Sequence, residues 1–178
     1  RFNGTARTAA RLFGALSPSS TAGPGTLALD RAALAGRSAQ EVMDRVVEAV
    51  CTINGTLDAE ANKAAVADAL AELLERFPEA SLLDLTDEQR VFAIERFVAI
   101  DVYRRFVLDV GLALQKAAPS ATVAVARLKE VKDYIKETVS AAFRTARTAG
   151  AALVAGQVAG FVSSALVEAL QVFEQYSV

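Results

Sequence analysis

The side chains of this chain best suited to chemistry are two carboxylates, one thiol and a run of cations. Asp101 and Asp109 stand eight positions apart in one apolar segment, a spacing that paired general acid–base catalysis could use. Arg105 lies midway between them and Arg104 is adjacent, so ion pairing along a helix is the better reading of both carboxylates. Cys51 would need a neighbouring base to act as a nucleophile, yet the 178 residues contain no histidine. It reads as a buried structural thiol near the end of an apolar helix. The same absence removes the Glu-x-x-His pair that usually completes a carboxylate-bridged metal site in helical bundles. There is no glycine-rich phosphate loop followed by lysine and no dinucleotide fingerprint. The expectation is therefore a chain with no catalytic residues, no metal and no cofactor.

Arg127, Lys129, Lys132, Lys136, Arg144 and Arg147 make one segment modestly basic, as phosphate contacts would require. Glu130, Asp133 and Glu137 interleave with them, and Tyr134 alone is poor provision for base stacking. A solvated helix face is expected, with no direct nucleic-acid partner. The Asn-Gly-Thr triplets at Asn3 and Asn54 match a glycosylation sequon, but nothing else indicates secretion. The net charge of -2 gives no global field toward nucleic acid or anionic lipid, and a single cysteine fits a reducing, cytoplasmic setting. The chain begins at Arg1 without an apolar leader and reads as part of something longer.

The elements that must carry these residues are helical. Asn3 can cap a short helix with Phe2, Ala6, Ala9, Phe13 and Leu16 on one face. Ser17–Thr26, built of Ser, Pro, Gly and Thr, reads as a linker. Ser38-Ala39-Gln40-Glu41 has the capping-box form, followed by Val42, Val46, Ala49, Val50 and Ile53 at helical spacing up to the Asn54-Gly55 turn. Asp58 caps a helix bearing Val66, Leu70, Leu73 and Phe77, which Pro78 stops. Thr86-Asp87-Glu88-Gln89 opens a long segment, apolar on every side, that belongs in the middle of a bundle and closes at Ala117-Ala118-Pro119. From Ser120 to Gly150 Leu128, Val131, Ile135, Val139, Ala142 and Ala146 make one stripe, with Lys129, Lys132, Lys136 and Glu137 turned away.

The uncharged run Thr148–Val167, with Gly156 and Gly160 four apart, invites a membrane reading. Gln157, Ser164, Glu168, Gln171 and Gln175 form a polar side opposite Val154, Val158 and Phe161, which favours a core or partner-docking helix over a membrane span. The expected fold is all-α: a compact bundle of about five main helices (residues 27–178), a linker (17–26) and a short N-terminal helical arm (1–16), with 53% hydrophobic and only 7% aromatic residues favouring close helix packing.

Three stretches taken together, LAGRSAQEVMDRVVEAVC (Leu34–Cys51), ERFVAIDVYRRFVLDVG (Glu95–Gly111) and RLKEVKDYIKETVSAAF (Arg127–Phe143), resemble the QatB family, the helical component of the bacterial Qat anti-phage defence system. The likeness runs from about Leu27 to Gly150. It implies a non-catalytic subunit whose neighbours include an ATPase, a protein related to the queuosine-precursor synthase QueC and a TatD-like nuclease, with the QueC-like protein as closest partner. It also implies a flexible glycine- and serine-rich tail ahead of the helical body, as a substrate for modification by that partner.

The expected role is an interaction subunit, with partner-facing residues Phe2, Phe13 and Leu16 on the arm and Val154, Val158 and Phe161 on the last helix. Two other classes remain open at this stage: a membrane-active effector inserting Ala151–Tyr176, and an enzyme working through carboxylates such as Asp101 alone.

Overall fold

A computed structural model describes residues 3–18, 29–51, 57–148, 158–160 and 162–163. The fold is all-α. Its elements are α1 (Asn3–Leu16), α2 (Arg31–Leu34), α3 (Ala39–Val50), α4 (Leu57–Arg76), α5 (Asp87–Ala117) and α6 (Ala121–Thr148), and residues 158–160 and 162–163 are helical too.

Both capping boxes form as their spacing demands. The Ser38 hydroxyl accepts from the Glu41 N–H at 3.2 Å while Glu41 accepts from the Ser38 N–H at 3.0 Å. Thr86 and Gln89 repeat the exchange at 3.3 and 2.9 Å at the start of α5. Helix α3 ends at Val50, earlier than the expected Ile53, and Cys51 donates its N–H to the Val47 carbonyl. The Asn54-Gly55 turn lies outside the described residues. Helix α2 is too short for periodicity to announce: Asp30 caps it by accepting from the Ala33 N–H at 3.0 Å, and Gly36 follows at φ +78°, a left-handed turn that costs a glycine little.

Helix α5 is the axis of the molecule, packed against α1, α4 and α6, while α3 packs on α1 and α4. Phe97 and Val98 are fully buried on it, Ile94 and Ala99 nearly so, as an all-round apolar segment predicts. That character ends before the helix does, for Leu108 is exposed. Around the axis sit Leu70 and Leu73 from α4, Ile135 and Phe143 from α6, and Val46 and Val50 from α3. Between α4 and α5 an isolated bridge joins Ser81 to Asp84, Leu82 and Leu85 fold inward, and Phe77 meets Phe92 edge-on at 5.5 Å.

Helix α1 is built into the bundle. Leu12 and Leu16 are fully buried and Phe13 is 6% exposed, all three within the main core. An amphipathic helix carrying three large apolar side chains on one face buries them on the nearest apolar surface, here α3 and α5. Helix α1, whose apolar face the sequence left free to meet either the body or a partner, docks on the body.

Candidate functional site

Asp101 is the one charged residue fully buried among the described residues. The all-round apolar character of α5 carries it into the centre, where it faces the first turns of α1. The Thr5 hydroxyl donates to Asp101 Oδ2 at 2.5 Å, and Arg105 Nε donates to the same oxygen at 2.9 Å. The Asp101–Arg105 pair thus forms as its four-residue spacing predicts. Asp101 Oδ1 meets no donor among the described residues. One turn along α1, Thr8 accepts from Asn62 Nδ2 of α4 at 3.0 Å, extending a polar seam beneath α1. Thr5 and Thr8 are buried, which their position on an otherwise alanine-rich face hid from sequence reading.

Arg104 does not join this pair. It crosses to Asp68 of α4 at 2.6 Å, because it leaves α5 a full 100° from Asp101's neighbour Arg105 and so points to a different helix. The side chain of Asp109 lies outside the described residues.

A second polar feature is a groove of about 380 Å³ between α4, α5 and α6. Asp68, Glu72 and Glu75 line one wall and Arg104, Lys132 and Lys136 the other, with Tyr103 on its floor. Lys136 bonds Glu72 at 3.0 and 3.2 Å, Arg96 approaches Glu72 at 3.7 Å, and Lys132 lies 5.8 Å from the Tyr103 ring centre. Lys136, expected to point to water, therefore serves the α4–α6 seam, and Lys132, expected to do the same, packs toward Tyr103 of α5. The Lys136 ammonium finds a carboxylate partner and the Lys132 ammonium a ring face.

Cys51 is half-buried, and burial pushes its thiol up to about 11, against the opposing pull of Lys63 and Arg11. Such a thiol is a poor nucleophile at neutral pH. Among the described residues no three His, Cys, Asp or Glu side chains gather in a way that could hold a metal ion, and no described helix is long and apolar enough to cross a membrane.

The residues expected to face a partner fall into two groups. Phe13, Leu16 and Val158 are buried in the chain's own core, Leu16 and Val158 completely, so none offers its side chain to a partner in this conformation. Phe2, Val154 and Phe161 lie outside the described residues, as does most of the segment Ala151–Tyr176. Among the described residues the large apolar side chains that face water are Leu108 (64% exposed), Val125 (67%) and Tyr134 (38%). They sit on the two helices that meet at the 118–120 turn. Val125 and Tyr134 fall off the apolar stripe of α6, a signal available in the sequence; Leu108 was masked by the apolar density of α5.

No curated protein and no solved structure matches the chain. Residues 1–173 match the family model of the Qat anti-phage system associated protein QatB, extending the likeness of the three helical stretches across α1 and past α6. The chain therefore belongs to the QatB family and is a component of an anti-phage defence system.

Proposed function

We propose that this protein is a non-catalytic interaction subunit of its defence system, working in the cytoplasm without a cofactor. It docks a QueC-like protein and presents its N-terminal segment to that partner, while the system's ATPase and TatD-like nuclease act alongside. The observation that carries the reading is that, among the described residues, the one buried carboxylate and several of the charged groups between α4, α5 and α6 are engaged by the chain's own packing. Asp101 is tied to Thr5 and Arg105, and Asp68, Glu72, Arg104 and Lys136 hold helices together. Among the described residues the large apolar side chains left toward solvent, Leu108, Val125 and Tyr134, lie on α5 and α6, and exposed apolar area is the kind of surface that protein partners cover. Phe2, Val154 and Phe161 are further candidates for that surface.

Co-purification of the full-length protein with a QueC-like protein tests the reading, together with the intact mass of its N-terminal segment. A stable complex is expected, weakened by Leu108→Asp or Val125→Asp without a change in thermal stability. Failure to form any complex sinks it. So does an activity of the purified chain that Asp101→Asn abolishes while the protein stays folded. Leakage of liposomes on addition of the chain would favour a membrane-active effector instead.

A further inference from the structure

We infer that the first half of α1, Asn3–Arg11, is a latch that lifts off α5 while Leu12–Leu16 stay anchored, with Asp101 as the buried pin beneath it. The two halves of this helix are held by different forces. The second half buries Leu12, Phe13 and Leu16, three large apolar side chains. The Arg90 guanidinium covers the Phe13 ring at 5.7 Å, and Arg31 holds the carbonyls of Ala15 and Ser17 at 2.9 and 2.6 Å. Among its described side chains the first half buries only Ala6, Ala9, Thr5 and Thr8, with Ala10 partly buried, so little apolar area is lost when it leaves. Among the described residues its side-chain hydrogen bonds to other helices are two, from Thr5 to Asp101 and from Asn62 to Thr8.

Asp101 makes that departure easy. Its ion pair with Arg105 lies within α5, at i and i+4, and survives when α1 moves away. Only the Thr5 bond is lost. In exchange the carboxylate regains water, including at Oδ1, which has no donor among the described residues when the latch is closed. The Arg105 guanidinium already reaches the rim: a Cβ on exposed Gly4 would stand 3.8 Å from its Nη2. A buried charge that stays paired in the open state and is better solvated there favours opening, while its bond to Thr5 sets the register in which α1 closes.

The nine residues Asn3–Arg11, released and extended, add roughly 30 Å of reach to the segment ahead of them. That consequence for presentation to a partner rests on the function proposed above; the latch itself does not.

Thiol labelling of the protein alone tests it, in two variants lacking the natural thiol: Ala9→Cys with Cys51→Ser, and Ala15→Cys with Cys51→Ser. Both introduced thiols replace buried alanines of one helix, 0% and 3% exposed. The thiol at 9 is expected to label at least about tenfold faster than that at 15 under native conditions, and amides of Arg7–Arg11 to exchange faster, by a similar factor in the unmodified chain, than those of Leu16 and Ser17, whose acceptors on Leu12 and Gly14 stay in the anchored part. Adding Thr5→Val and Asp101→Leu to the Ala9→Cys variant should slow labelling toward the rate at 15. Equal labelling at 9 and 15, or the same exchange rate along the whole helix, overturns the latch; failure to bind a QueC-like protein bears on the proposed function alone.

Discussion

Arg31 Nη2 donates to the Ala15 carbonyl at 2.9 Å and to the Ser17 carbonyl at 2.6 Å, while Nη1 bonds the Leu83 carbonyl. One guanidinium thus joins the end of α1, the start of α2 and the connection between α4 and α5. The last carbonyls of a helix lack intrahelical partners and carry partial negative charge, which a cation satisfies on both counts.

Arg31→Ala should cost about 3 kcal/mol, since charge-assisted hydrogen bonds contribute about 1.5–3 kcal/mol and the half-buried carbonyls would lose theirs together. For a chain of this size that is a fall of roughly 6–12 °C in Tm. Arg31→Lys should recover only part of it, because a single nitrogen cannot occupy both places from which Nη1 and Nη2 reach their acceptors. Calorimetry on the three proteins checks both statements.

Phe97→Ala should cost about 3–5 kcal/mol, for Phe97 is fully buried at the axis of the bundle and a cavity would remain. Leu108→Ala, on the same helix but at 64% exposure, should change stability by less than about 0.5 kcal/mol. Urea unfolding of the pair separates core from surface along one helix. A large cost at Leu108 would mean that its side chain is covered in the protein.

Cys51 should react slowly with iodoacetamide in the folded protein at pH 8, where a thiol held near 11 is about one part in a thousand thiolate. Unfolding in urea should raise the rate sharply. The folded value lies above the 9.0 of the free group, so the folded state retains the proton longer. Stability drawn from this group is therefore complete below pH 9 and declines as pH rises from 9 toward 11. Cys51→Ser should flatten that part of the pH–stability curve.

Glu72 and Lys136 should couple by about 0.5–1 kcal/mol in a double-mutant cycle with Glu72→Gln and Lys136→Met. Both side chains are near 30% exposed, so solvent screens the pair and the coupling should shrink as salt is raised. Coupling that persisted in 1 M salt would place the seam in a drier environment than its exposure indicates.

Much of the architecture was readable before any coordinates. Ser38 with Glu41 and Thr86 with Gln89 mark two helix starts because a capping box closes within four residues and needs nothing else from the fold. Ile135 and Val139 lie on a stripe whose period alone says that it is buried. The partner-facing set was less legible. Phe13 and Leu16 have the spacing of a docking face, and spacing cannot say whether that face meets another protein or the chain's own α3 and α5. Val125 and Leu108 are exposed for the complementary reason: a bundle covers apolar residues only where another helix happens to lie.

What the sequence by itself determined is local: the helical class, the two capping boxes at Ser38 and Thr86 (whereas Asn3 and Asp58, read as caps, lie inside α1 and α4), the Asp101–Arg105 pair at i and i+4, and a chain without histidine. Each depends on residues within a turn or two of one another, where backbone geometry leaves little choice. Only the tertiary structure decided that Thr5 meets Asp101 across 96 positions, that Arg31 clasps the end of α1, and that Arg104 turns to Asp68. Those contacts follow from which helices pack side by side, and packing is chosen by the complementarity of whole faces rather than by any short stretch of chain.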